Sequence, residues 1–192
     1  MDEKELAALR SAHGDVCAAR RKGKIIFVVR AITKAKLAEV YDEMDTASGQ
    51  QKIAQECLLW PDWAEFKKLR DKQPAVVTQA AFAARKVSGA NCTVDVDEDA
   101  GTAKATVEKH NEADPTLVYE AKALGWAQYQ RFLELNIKDR LEAHVLACVD
   151  AGTFPVERDE RVALFDRWPF LAETMWPFVL GLSGGDLDLE GN

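Results

Sequence analysis

The chain has 192 residues, enough for one domain or two small ones. Apolar residues make up 47% and charged residues 30%, which supports a packed core and excludes an intrinsically disordered chain. Acidic residues outnumber basic ones, 32 against 25, for a formal charge of −7, which excludes a general nucleic-acid binder, since that function needs clustered cations.

Residues 2–22 read as an amphipathic helix, with Leu6, Leu9, His13 and Val16 recurring at three- and four-residue steps. Gly23 then closes an N-terminal helical segment over 1–23, and Arg20, Arg21, Lys22 and Lys24 form its solvated basic end. The β-branched run from Lys24 to Ile32 predicts a strand. Thr33 is suited to N-cap a helix whose apolar face is Leu37, Val40, Tyr41 and Met44. After the loop Ala47-Ser48-Gly49, Ile53, Cys57, Leu58 and Trp60 predict one face of a further helix. Trp60-Pro61 ends it, Asp62 caps a helix from Trp63 to Lys72, and Pro74 breaks the chain again. Val76, Val77, Ala80, Ala81, Ala84 and Val87 suit one more helix, stopped by Gly89.

The stretch 91–115 differs in pattern and reads as a β-hairpin or a linker. Thr93 to Asp97 alternates, Glu98 to Gly101 turns, and Thr102 to Val107 alternates back. Residues 107–111 fit a helical turn as an alternative. From Thr116 the earlier order returns: a strand at Thr116–Tyr119, a helix from Trp126 to Leu135, and an apolar run around Cys148. A helix ending before Pro169 and another ending at Ser183-Gly184 complete it. The acidic tail 185–192 is expected to be mobile.

These two runs predict an internal duplication, with repeats at 24–90 and 116–184. Cys57 and Cys148 stand 91 positions apart, a step that also lays Tyr41 on Phe132. Pro74 and Pro169 stand 95 apart, a step that also pairs Leu69 with Leu164, Asp71 with Asp166, and Ser88 with Ser183. The change of step predicts a loop insertion of four residues near Ala151-Gly152-Thr153-Phe154. The expected fold is α+β and mostly helical, with two tandem strand-plus-helices units and a small β-hairpin or linker between them.

Little in the chain points to reaction chemistry. His13/Cys17 and His144/Cys148 each have the four-residue spacing that places two zinc ligands on one helix face, but a closed structural site needs four. Asp95, Asp97 and Asp99 open like a calcium loop, yet Ala100 and Thr106 stand where that loop needs glycine and glutamate. No nucleophile elbow and no glycine-rich phosphate loop is present. The carboxylates Glu39, Asp42, Glu43 and Asp45 read as a solvated face. No catalytic residue, metal site or cofactor is therefore assigned.

Aromatic residues are the better candidates for function. Trp60, Trp63, Trp126, Trp168 and Trp176 flank proline turns or helix starts, and Trp176 and Phe178 align with Ala81 and Ala83 of the first copy. These six side chains either fill the core or face a protein partner.

The stretch Phe27-Val-Val-Arg-Ala-Ile-Thr-Lys-Ala-Lys-Leu-Ala-Glu-Val-Tyr41 resembles the tail assembly chaperones of tailed bacteriophages. So do Cys57-Leu-Leu-Trp-Pro61 and Phe66-Lys-Lys-Leu-Arg-Asp-Lys-Gln-Pro74. The likeness covers 24–89 well and 116–184 more weakly: the second copy lacks the Trp-Pro after its cysteine and has Leu124 in place of Thr33. The resemblance implies a non-enzymatic phage protein that binds the helical tape-measure protein, or another tail protein, during tail assembly. A virion component, or an inhibitor acting on a host defence protein, is the alternative, and an enzyme using His144 and Cys148 ranks last. The charged N-terminus lacks the apolar stretch of a signal peptide, and no apolar run reaches about 18 residues. A soluble protein of the host cytoplasm, with free thiols and without membrane contact, is expected, and a homo-oligomer is compatible with it.

Overall fold

The computed structural model describes residues 1–107 and 116–184, which form a mostly helical α+β protein. The chain divides into two compact units, one built on Met1–Asn91 and the other on 92–107 and 116–184. The tail 185–192, and the part of the helical-turn reading beyond Val107, lie outside the described residues.

The first unit opens with helix α1 (Glu3–His13), which Asp2 and Glu5 start with a reciprocal capping box. The expected helix over 2–22 is corrected here. Gly14, at φ 72°, ends α1, and the chain turns into strand β1 (Val16–Arg21), paired antiparallel with β2 (Lys24–Arg30). Lys22 and Gly23 both adopt positive φ, 50° and 77°, as a two-residue hairpin turn requires. The basic cluster is therefore a hairpin tip and not a helix end.

Thr33 caps a short helix, α2 (Lys34–Ala38), and a tight turn at Tyr41–Glu43 buries Tyr41. Helix α3 (Ala47–Cys57) follows. Leu58–Trp60 forms strand β3 on the edge of β2, and does not continue the helix face as the spacing predicts, since the backbone becomes extended at Leu58. Pro61 enters through a cis bond, Asp62 caps α4 (Trp63–Lys72), and α5 (Ala75–Arg85) leads into a closing turn where Gly89 takes φ 100°. The sheet order is β1-β2-β3. Phe27 meets Phe66 of α4 edge to face at 6.0 Å. A separate apolar cluster sets Leu6 of α1 against Val16, Ile25 and Val28, with Leu59 and Trp60 at its rim.

The second unit repeats the order with one strand more. The stretch after residue 91 is a hairpin, β4 (Cys92–Asp97) and β5 (Thr102–Val107), which belongs to this unit's own sheet, β4-β5-β6-β7. Strand β6 (Leu117–Lys122) precedes α6 (Trp126–Asn136), α7 (Arg140–Ala151) and β7 (Gly152–Phe154). Then come α8 (Arg158–Arg167) and α9 (Pro169–Leu182). Ala103, Ala105, Tyr119 and Ala121 are fully buried, and α9 lies against β4, β5 and β6.

Paired details support the duplication. The Ile32 N–H donates to Ser88 Oγ at 2.9 Å, and the Leu124 N–H donates to Ser183 Oγ at the same distance. Each serine hydroxyl in turn donates to a carbonyl one helical turn back, Ala84 or Val179, at 2.6 Å. Leu124 thus corresponds to Ile32, and Gly125, which N-caps α6, takes the place of Thr33. Phe154-Pro155, also cis, stands where the first unit has Trp60-Pro61, which supplies the aromatic-proline step expected to be missing.

The expected loop insertion takes another form. α3 ends at Cys57 directly before β3, whereas α7 runs to Ala151 directly before β7. Of the three added residues between Phe132 and the end of α7, one lengthens the helix, 12 residues against 11 in α3, and the others lie before it. Counted from the helix end, Ala54 corresponds to Cys148 and Gln50 to His144.

Candidate partner-binding groove

The positions singled out in the sequence disperse in the fold. Trp60 lies in the cluster beneath α1. Trp63 is half-buried and stacks on Phe66 at 5.5 Å, with Lys67 over its ring. Trp168 is buried at the α8–α9 junction, with the Arg167 guanidinium 4.2 Å from its ring. Phe178 lines a depression with Val96 and Leu182. Only Trp126 and Trp176 fall on one surface, the α6–α9 side of the second unit.

That surface is a cleft of about 510 Å³ between α6 and α9, with α7 as its floor. Tyr129, Phe132 and Asn136 of α6 stand at three- and four-residue steps along one wall. Glu173, Trp176, Pro177 and Leu180 repeat that spacing on the α9 wall. Pro177 has no N–H, so it cannot close the helix bond to the Glu173 carbonyl.

Aromatic rings run across the cleft. Trp126 lies 6.3 Å from Tyr129, Tyr129 lies 5.9 Å from Phe132, and Phe132 packs on Trp176 at 4.1 Å. His144 of α7 stacks on Trp176 at 5.2 Å and is 4% exposed. Its Nδ1 lies 3.1 Å from Glu173 Oε2. A carboxylate oxygen can only accept, so Nδ1 carries the hydrogen. Asn136 Oδ1 is buried and has no hydrogen-bond partner. Beside the cleft, Trp126 and Leu133 of α6 and its C-cap Ile137 form an apolar stripe, exposed at 69%, 43% and 88%.

The first unit has polar pairs at the matching place. Thr78 Oγ1 donates to Gln50 Oε1 at 2.8 Å, where the second unit has Glu173 and His144. Arg85 pairs with Asp45 at 2.7 Å, where the 95-residue step places Leu180 and the Tyr41–Phe132 step places Asn136. Ala81 stands in place of Trp176.

The two His-Cys pairs fare differently in the fold. His13 ends α1 while Cys17 lies in β1, so the shared helix face expected of them does not exist. His144 faces Glu173, and the Cys148 thiol faces the Ala172 carbonyl at 3.7 Å. Among the described residues no three potential ligands gather. Burial raises the Cys148 thiol far above its ordinary range and pushes Cys57 up to about 12, so neither is a ready nucleophile. Burial likewise raises Tyr119, whose hydroxyl donates to the Cys148 carbonyl. At Asp95–Gly101 the acidic loop is the β4–β5 turn, where Asp97 Oδ1 accepts from the Ala100 N–H.

Of the residues singled out in the sequence, Trp176 lines this cleft and Trp126 stands beside it; Tyr129, Asn136, Glu173 and Leu180, which also line it, were not singled out. The repeat itself held the missing signal: Leu180 aligns with Arg85, an apolar residue where the sister copy carries a charge. Comparison of the chain with protein-family models, with curated proteins and with solved structures found no match. Among the described residues no helix is long and apolar enough to cross a membrane.

Proposed function

We propose that the protein is a non-enzymatic tail assembly chaperone of a tailed bacteriophage, which binds the tape-measure protein in the host cytoplasm while the tail is built. The single observation that carries this reading is the exposed apolar stripe Trp126/Leu133/Ile137 beside the cleft between α6 and α9 of the second unit. A tape-measure chain presents long apolar helical stripes, and a groove between two helices is the receptor such a stripe needs. A net charge of −7 supports solubility of a protein with this much exposed apolar surface.

Co-expression with a tape-measure protein from the same genome tests the reading. The expected result is a soluble complex of the two, and no copy of the chaperone in purified particles by mass spectrometry. A tape-measure protein that stays insoluble, with no complex formed, rejects it. Abundant chain in mature particles would instead favour a virion component.

A further inference from the structure

Of the four sheet edges among the described residues, three are blunted. β3 and β7 are three residues long, and a register shift interrupts the pairing of each. β1 carries a shift between Ala19 and Arg20, and α1 and α5 lie against it. β4 has neither device. It runs six residues without proline, in unbroken register with β5, and no strand lies on its outer side among the described residues. Alternate residues of such an edge present backbone N–H and C=O groups to an incoming strand.

The rows of side chains across this sheet stop short at β4. On the face that α9 covers, Tyr119 and Ala105 lead to Val94, and Ala121 and Ala103 lead to Val96. Tyr119, Ala105, Ala121 and Ala103 are fully buried, whereas Val96 is 45% exposed. Beside Val96 lies a groove of about 460 Å³, lined by Phe178, Gly181 and Leu182 and by Glu98 and Gly101 of the β4–β5 turn. On the opposite face one row reads Glu120, Lys104, Asp95. Lys104 Nζ pairs with Glu120 at 3.1 Å, and Asp95 has no ion pair among the described residues.

We infer that β4 adds an extended segment of another protein to the second unit's sheet, and that this segment alternates basic and apolar residues. A strand laid about 4.8 Å beyond β4 sets one side chain opposite Asp95 and its two neighbours opposite Val94 and Val96. After Glu120, Lys104 and Asp95 the row calls for a cation, since opposite charges are favourable in directly facing positions and like charges are not. Asp97, on the same face two residues along, calls for a second. The apolar neighbours face the side of Val96, Phe178 and Leu182, so backbone bonds supply affinity and the groove supplies selection. A second copy is the poorer occupant: two β4 strands paired about a two-fold axis through their middle set Asp95 opposite Asp95 or Asp97. The site stands apart from the tape-measure reading, because this edge takes extended backbone and not a helix.

The test uses the full chain and fluorescent peptides of about eight residues, enough to span the six of β4. One alternates valine with lysine, a second alternates valine with glutamate, and a third is the lysine peptide with every backbone amide N-methylated. Anisotropy titration is expected to show the lysine peptide binding about fivefold or more tightly than the glutamate peptide. N-methylation keeps the charges and removes the ladder donors, so it is expected to abolish binding, which separates strand addition from general attraction to a chain of charge −7. Hydrogen exchange at the β4 amides is expected to slow when the lysine peptide binds. Asp95→Lys is expected to erase the preference for lysine, while Asp42→Lys, the same charge change on the first unit, leaves it within about twofold.

Equal binding of the lysine and glutamate peptides, undiminished binding of the N-methylated peptide, or binding without protection of β4 overturns the inference. An Asp95→Lys variant that folds and keeps the preference overturns it too. If that variant does not fold, the N-methylated peptide and the exchange measurement on the parent chain decide.

Discussion

At the scale of single residues, Ser88 and Ser183 tie the end of a long helix back to the loop that follows the central strand of each sheet. Ser88 is fully buried, and its hydroxyl both accepts from the Ile32 N–H and donates to the Ala84 carbonyl. Ser88→Ala strands a buried N–H, at a cost of about 1–3 kcal/mol. Ser183 is partly exposed, so water can replace its hydroxyl, and Ser183→Ala should cost only about 0.5–1.5 kcal/mol. At about 2–4 °C per kcal/mol for a chain of this size, Ser88→Ala is expected to lower Tm visibly more than Ser183→Ala. A differential scan in which the two variants melt alike would show that the shared bond is not what the first unit depends on. The serines were legible in the sequence as an aligned pair because both sit at the 95-residue step. Their partners were not, because a contact with a backbone N–H more than fifty residues away leaves no trace in residue type. The pair His144–Glu173 was hidden for a related reason: it lies on two helices, and its first-copy counterpart is the uncharged Gln50–Thr78.

Elements were legible where one physical signal dominated. Thr33 and Asp62 cap helices as their side chains dictate, and Gly89 ends the first unit's last helix at positive φ. The reading over 2–22 failed because Val16–Arg21 carries helix-compatible spacing, while the turn at Lys22-Gly23 needs left-handed backbone that periodicity does not report. Short strands such as Leu58–Trp60 exist only because β2 offers them an edge, so tertiary pairing overrides the local pattern. Gly49 in α3 shows the same dependence. A helix position ordinarily gains up to about 1 kcal/mol on Gly→Ala. Here the added Cβ would stand 2.0 Å from the Glu43 carbonyl oxygen and 2.8 Å from Met44 Cα, both of them backbone atoms. Relieving that overlap costs about 1–3 kcal/mol or more, so overpacking outweighs propensity. Gly49→Ala is expected to destabilise the protein in urea or heat denaturation, and a stabilised variant would show that the turn at Tyr41–Glu43 yields freely.

For the whole molecule, duplication with divergence explains why the tandem pattern was plain while its purpose was not. Both copies keep the sheet pairing, the aromatic-proline step and the serine tie, which are demands of folding. They part at Asp45/Asn136, Arg85/Leu180 and Ala81/Trp176. The exchange at Asp45 and Arg85 can be tested for its weight in folding. Asp45→Asn with Arg85→Leu removes an ion pair whose Asp45 side chain is 76% exposed. Such pairs contribute about 0–1 kcal/mol, so the first unit should remain folded and Tm should fall by no more than about 4 °C. A larger loss in a thermal scan would show that the pair is part of what the first unit's fold depends on, and that the second unit replaced it with apolar packing at Leu180.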